Sequence, residues 1–123
     1  MALDAGGRHH DARRALTWLR DRQLDHGGWY QYYLADDVLD ETLDTNVSAY
    51  IAVGVWHHYL ATSDATILAD FWPTVATAID HVVGQQFSWG GIAWRADDPD
   101  DGALLTGSSS VHLSLRCAIA MAE

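Results

Sequence analysis

The sequence predicts an all-α protein made of one helical hairpin used twice, with no convincing strand. Three observations carry that expectation. Two stretches recur at a fixed offset of 63 residues: Ala15-Leu16-Thr17-Trp18-Leu19 with Gln23 and Gly27-Gly28-Trp29, then Ala78-Ile79-Asp80-His81-Val82 with Gln86 and Gly90-Gly91, followed by Trp94. The apolar residues ahead of the first Gly pair fall at helical spacing, with Ala12, Ala15, Leu16 and Leu19 at i, i+3, i+4 and i+7. After each Gly pair the chain turns aromatic and then acidic before a capped helix begins. A unit used twice needs neighbours to bury its apolar faces.

The first helix is expected over residues 11–23, stopped by His26-Gly27-Gly28. A loop follows, aromatic in Trp29-Tyr30-Gln31-Tyr32-Tyr33 and acidic in Asp36, Asp37, Asp40, Glu41 and Asp44. Asp44, Thr45 or Asn46 suits the N-cap of a second helix over residues 47–61. That helix is apolar almost all round, so it is expected to be buried. Thr62-Ser63-Asp64 ends it and caps a short turn of helix over residues 65–70. Trp72-Pro73 is read as a restart, because proline suits the first helical turn. The third helix then runs to Gln86, and Gly90-Gly91 closes it. The second loop repeats the first, aromatic at Trp89 and Trp94, acidic at Asp97, Asp98, Asp100 and Asp101. Gly107-Ser108-Ser109-Ser110 is expected to cap a fourth helix from Val111. The two repeats are placed at residues 11–61 and 64–123 of a single domain. The fourth helix meets no Gly or Pro stop, which reads as a fragment.

Composition narrows the function classes. Seven Lys+Arg against 17 Asp+Glu leave a formal charge of −10. Nucleic acids and anionic lipids need clustered cations, so neither is an expected partner. The acidity reads as a solvated surface or as a carboxylate-lined site. A lone Cys117 excludes an intramolecular disulfide framework and any multi-cysteine zinc site. It reads as a small buried hydrophobe. No signal peptide is expected at residues 1–10, and no apolar run is long enough to span a membrane. The expected location is the cytoplasm.

The residues Trp18-Leu19, Gln23, Gly27 and Trp29 are similar to the core of the QW motif of terpenoid cyclases and prenyltransferase-like toroids. In that motif the Gln caps a neighbouring helix end and the Trp stacks against it. The second copy departs from it, with Ile92 in the place of Trp29. A second passage resembles glucoamylase-type six-hairpin glycosidases: Asp44-Thr45-Asn46, Ala49-Tyr50, Tyr59 to Asp64, Leu68, Trp72-Pro73 and Ala78-Ile79-Asp80. Both resemblances imply an α/α toroid, six hairpins closed into a double ring with its site at one open end. Two hairpins are then part of an incomplete (α/α)6 barrel, which at this unit length needs on the order of 380 residues. Open ring ends would favour self-association, and the isolated chain is expected to be inactive. The QW-like signature favours a prenyltransferase or cyclase parent enzyme with an isoprenoid substrate. The alternatives are a glycoside hydrolase taking a carbohydrate, and a non-catalytic helical-repeat binding module.

Asp40, Glu41 and Asp44 are the candidate catalytic residues, because paired carboxylates supply the acid and the base or nucleophile of glycoside hydrolysis. Their other reading is negative charge favoured at a helix N-terminus. The Asp-rich cyclase pattern survives here only as Asp44-Thr45-Asn46-Val47, which removes acids that chemistry needs. Candidate substrate contacts are Asn46, Trp29, Tyr30, Trp89 and Trp94. With Tyr32 and Tyr33, the aromatics would stack on sugar rings, wall a carbocation, or pack between hairpins. His57, His58 and His112 have no metal-binding spacing, so no metal is expected. No cofactor is implied, and the Gly pairs lack the strand and Lys-Ser/Thr of a phosphate loop.

Overall fold

The computed structural model describes residues 1–123. It contains five α-helices and a small two-stranded sheet: α1 (Ala2–Ala5), α2 (His9–Arg20), β1 (Tyr32–Leu34), β2 (Asp37–Asp40), α3 (Thr45–Thr62), α4 (Thr66–Val83) and α5 (Leu105–Ala122), with a 3-10 turn at Pro99–Asp101. The mainly helical expectation holds. None of the helices is long and apolar enough to cross a membrane.

Helix α3 is the centre of the molecule. Asp44 caps it as the sequence suggests, one carboxylate oxygen accepting from the N–H groups of Asn46 at 2.7 Å and Val47 at 3.2 Å. Its faces are spent on packing: Ala49, Ala52 and Val55 are fully buried. Leu16 of α2 closes on Gly54, where a Cβ would stand 3.3 Å from the leucine methyl. From α4, Ile67, Phe71 and Val75 complete one core with Leu16, Trp29 and Cys117. Burying each large side chain contributes about 1.5–3 kcal/mol. Arg13 of α2 reaches the far end of α3, its guanidinium bonding Asp64 at 3.0 Å.

Four expectations need correction. Helix α4 does not restart at Trp72-Pro73; it runs unbroken through Pro73. Its buried set, Ile67, Phe71, Thr74, Val75, Ala78 and Val82, forms one continuous stripe, while Pro73 faces solvent. A proline there removes one hydrogen bond, and the stripe outweighs it. Helix α5 begins at Leu105, not Val111. Gly107–Ser110 lie inside it, and the hydroxyls of Ser109 and Ser114 bond back to the carbonyls of Leu105 and Ser110 rather than capping. Residues 21–23 leave α2 as a turn. Finally, the first loop does contain strands. Tyr32↔Asp40, Tyr33↔Val38 and Leu34↔Asp37 pair antiparallel around Ala35-Asp36, with Ala35 at a φ of 53°. Tyr32, Tyr33 and Val38 favour this pleated ribbon, as aromatic and β-branched residues do.

The 63-residue repeat is exact in the backbone of the turns. Leu24 N–H bonds Gly28 carbonyl and Gly27 N–H bonds Leu24 carbonyl; Phe87 with Gly91 and Gly90 with Phe87 repeat both. Gly27 and Gly90 share a φ of 99°. Gln23 Nε2 donates to Gly27 carbonyl at 2.9 Å, and Gln86 Nε2 to Gly90 carbonyl at 3.1 Å.

Candidate functional site

The N-terminus of α3 is stitched to the loop that follows α4. Thr45 N–H donates to the Trp94 carbonyl at 3.0 Å and Ala96 N–H to the Leu43 carbonyl at 2.9 Å. The Thr45 hydroxyl, buried, donates to the Ala93 carbonyl at 2.7 Å. Leu43 N–H adds a bond to Asp97 Oδ1. This seam joins the loop before α3 to the loop after α4.

Beside the seam lies a cleft of about 150 Å³, lined by Asp44, Asn46, Trp94, Leu104, Thr106 and Ser110 with Gly107. Asp44 gives one oxygen to its cap and keeps the other free of protein partners. Asn46 Oδ1 is buried with no hydrogen-bond partner. A buried acceptor left open costs stability unless something fills it. Trp94 is fixed by its indole N–H to Asp101 at 3.1 Å, with the Arg95 guanidinium 5.6 Å above its ring. Arg95 is in turn held by Asp97 at 2.7 Å.

Of the predicted site residues, Asp44, Asn46 and Trp94 converge on this cleft. Asp40 lies at the end of β2, and Thr42 N–H donates to its carboxylate at 2.9 Å. The Thr42 backbone and side-chain hydrogen bonds, aided by the charge of Arg95, hold Asp40 below the usual carboxylate range. Glu41 is exposed and has no side-chain hydrogen bond. Trp29 belongs elsewhere: it is 3% exposed, sits in the main core, and its indole N–H caps α2 by donating to the Leu19 carbonyl at 2.7 Å. Its ring packs in the core and, with half-buried Tyr30, borders an apolar pocket of about 320 Å³ between α1, α2 and α3, away from the cleft. Trp89 is 70% exposed and stacks on Phe87, 5.3 Å between centroids.

Sequence reasoning missed Thr106 and Ser110, whose i, i+4 spacing on α5 gives them one face. It read Ser110 as a helix cap instead. It also missed the cluster in which Asp4 Oδ1 meets the Nδ1 atoms of His9 and of buried His58, each at 2.9 Å. Burial alone would raise the Asp4 carboxyl; the bonds from His9 and His58 and the charge of His58 outweigh it and hold it low. Burial pushes the Cys117 thiol up, which keeps it neutral.

No protein-family model matches the sequence. Among curated proteins, the chain is similar to the MMP endo-(1,4)-3-O-methyl-alpha-D-mannosidase of Mycolicibacterium hassiacum, 43% identical over 125 residues and across the whole of this chain. The chain spans 35% of the length of that relative. This similarity overturns the prenyltransferase or cyclase reading and its isoprenoid substrate. Gln23 and Trp29 bond backbone carbonyls of Gly27, Thr74 and Leu19, so the signature fastens a turn, as the resemblance implied, and does not by itself select a substrate.

Proposed function

We propose that the chain forms part of a glycoside hydrolase acting on an α-(1,4)-linked chain that contains 3-O-methylmannose. The observation that carries this reading is the seam cleft. It offers a carboxylate, an unpartnered amide oxygen, two hydroxyl-bearing residues and an indole, on a chain 43% identical throughout to a mannosidase. A sugar presents a C–H face that stacks on an aromatic ring and hydroxyls that need donors and acceptors. Asn46 Oδ1 accepts one such hydroxyl and so gains the partner it lacks.

Glycoside hydrolysis takes one carboxyl group as proton donor and another as base or nucleophile. Asp44 contacts the sugar from the cleft wall. Asp44 is the one carboxylate of the cleft and is the group we assign to the reaction; Asp40 and Glu41 lie outside the cleft, and the second carboxyl group comes from elsewhere in the intact enzyme. We read the two hairpins as two units of an α/α toroid. The matched hydrogen bonds of the two turns support that reading, and the relative's greater length leaves room for further units.

The test is titration with a 3-O-methylmannose oligosaccharide, followed by NMR. Saturable shifts at Asn46 and Trp94, at least fivefold weaker in Asn46→Ala, are the expected result; no shift in the cleft overturns the reading. In the intact protein Asp44→Asn should abolish hydrolysis without loss of the helix cap, because asparagine caps as well as aspartate.

A further inference from the structure

Repetition supplies an internal control for exposed surface, since one copy of the turn has a neighbour and the other has none. In the first copy, Gln23 Nε2 reaches past its own turn to the Thr74 carbonyl of α4 at 2.9 Å. A Cβ on Gly27 would stand 2.3 Å from the Thr77 carbonyl oxygen, so α4 backbone lies directly on that glycine. His26 stacks on His81 of α4, 4.5 Å between centroids. Thr74, Thr77 and His81 thus present one face of α4 to the turn, at i, i+3 and i+7.

At the same offset stand Gln86 for Gln23, Trp89 for His26 and Gly90 for Gly27. Gln86 is exposed and its amide reaches only Gly90. Gly90 has nothing within 4 Å of its Cβ position. Trp89 holds its ring flat over Gly91, whose Cβ would lie 2.0 Å from it, and leaves the ring open to solvent. The second turn therefore keeps the geometry of a fastened joint with no helix in it.

We propose that Gln86, Trp89 and Gly90 form a socket for a helix of the α4 type, belonging to a third repeat unit, and that Trp89 serves this joint instead of a sugar. The occupant presents a backbone carbonyl to Gln86, close-lying backbone to Gly90 and a flat side chain to Trp89. The relative, of whose length this chain spans 35%, has the extra sequence such a unit requires. The proposal stands on the repeat and is independent of the reaction.

The experiment uses a synthetic peptide of residues 66–83, the one α4-type helix at hand, titrated into the isotope-labelled chain. The expected result is saturable shifts of the Gln86 side-chain amide and the Gly90 N–H with a blue shift of Trp89 emission. Gly90→Ala should weaken binding at least tenfold, and Trp89→Ala should also weaken it, keeping the test open if the first variant folds poorly. Absence of shifts at Gln86 and Gly90, or binding indifferent to both substitutions, overturns the proposal. Shifts that depend on protein concentration without peptide would assign the socket to a second copy of the chain. Trp89 shifts with 3-O-methylmannose oligosaccharide would return that residue to the substrate; either outcome overturns the joint, and neither bears on Asn46 and the cleft.

Discussion

In the turn after α2, Gly27 lies under the Thr77 carbonyl, Gln23 bridges to Thr74 and Trp29 is buried; in the turn after α4, Gly90 faces open space, Gln86 bonds only its own turn and Trp89 is exposed. Yet the two backbones share their hydrogen bonds and the same positive φ at the glycine. The local sequence therefore suffices to build the turn, and the neighbour decides what each side chain is worth. Along the helices the contrast reverses: Ala78 of the second copy is fully buried, whereas Ala15, its counterpart in the first, is exposed.

The largest expected difference follows from the glycines. Gly27→Ala adds a clash with backbone that cannot move aside to the strain of a positive φ, and should cost roughly 3–4 kcal/mol. Gly90→Ala carries the strain alone, about 1 kcal/mol. Urea unfolding of the two variants measures both, and equal losses would break the comparison. Next come the glutamines. Gln23→Ala removes two hydrogen bonds from a half-buried site and should cost about 1–2 kcal/mol, against about 0.5 kcal/mol or less for exposed Gln86→Ala.

Acid sensitivity should also localise to the first turn. Burial, and then the charge of His26, hold the His81 imidazole below its ordinary value. The unfolded chain takes up that proton near pH 6.5, at about the ordinary histidine value, so His81 contributes full stability above it. The contribution is lost as pH falls through the lower folded value. Denaturation at pH 7.5 and 5.5 should show a smaller acid loss in His81→Gln than in the parent chain; equal losses would exclude His81 as the source. The smallest effect is that of Asp44→Asn, which should change stability by a few tenths of a kcal/mol, read as a shift in Tm, because asparagine keeps the cap.

The mainly helical class and the turns were legible because they rest on local signals: the Asp44 cap, the helical spacing ahead of the first Gly pair and the Gly pairs themselves. What was not legible depends on contacts between units. Trp29 and Trp89 are both aromatic residues at a Gly-Gly turn, but they stand on opposite sides of the Gly pair: Trp29 is buried like its counterpart Ile92, and Trp89 is exposed like its counterpart His26. Pro73 looked like a helix start because its solvent-facing setting is a property of the packed stripe. The β1–β2 ribbon escaped notice because its strands are three and four residues long and flanked by acids. In the cleft, Asp44 and Asn46 were visible as a cap sequence, whereas Thr106 and Ser110 required knowing that α5 starts at Leu105.

The seam between α3 and the second loop has a kinetic consequence. Its bonds join residues 48 to 54 positions apart, such as Thr45 with Ala93 and Leu43 with Asp97. Each hairpin closes over a much shorter span, so loop-closure entropy favours the hairpins forming first and the seam last. On the proposed function, a sugar held by Asn46 and Trp94 would bridge the last contact made and the first to open. Bound ligand should slow exchange of the Thr45 and Ala96 amide protons far more than exchange within α3 or α4.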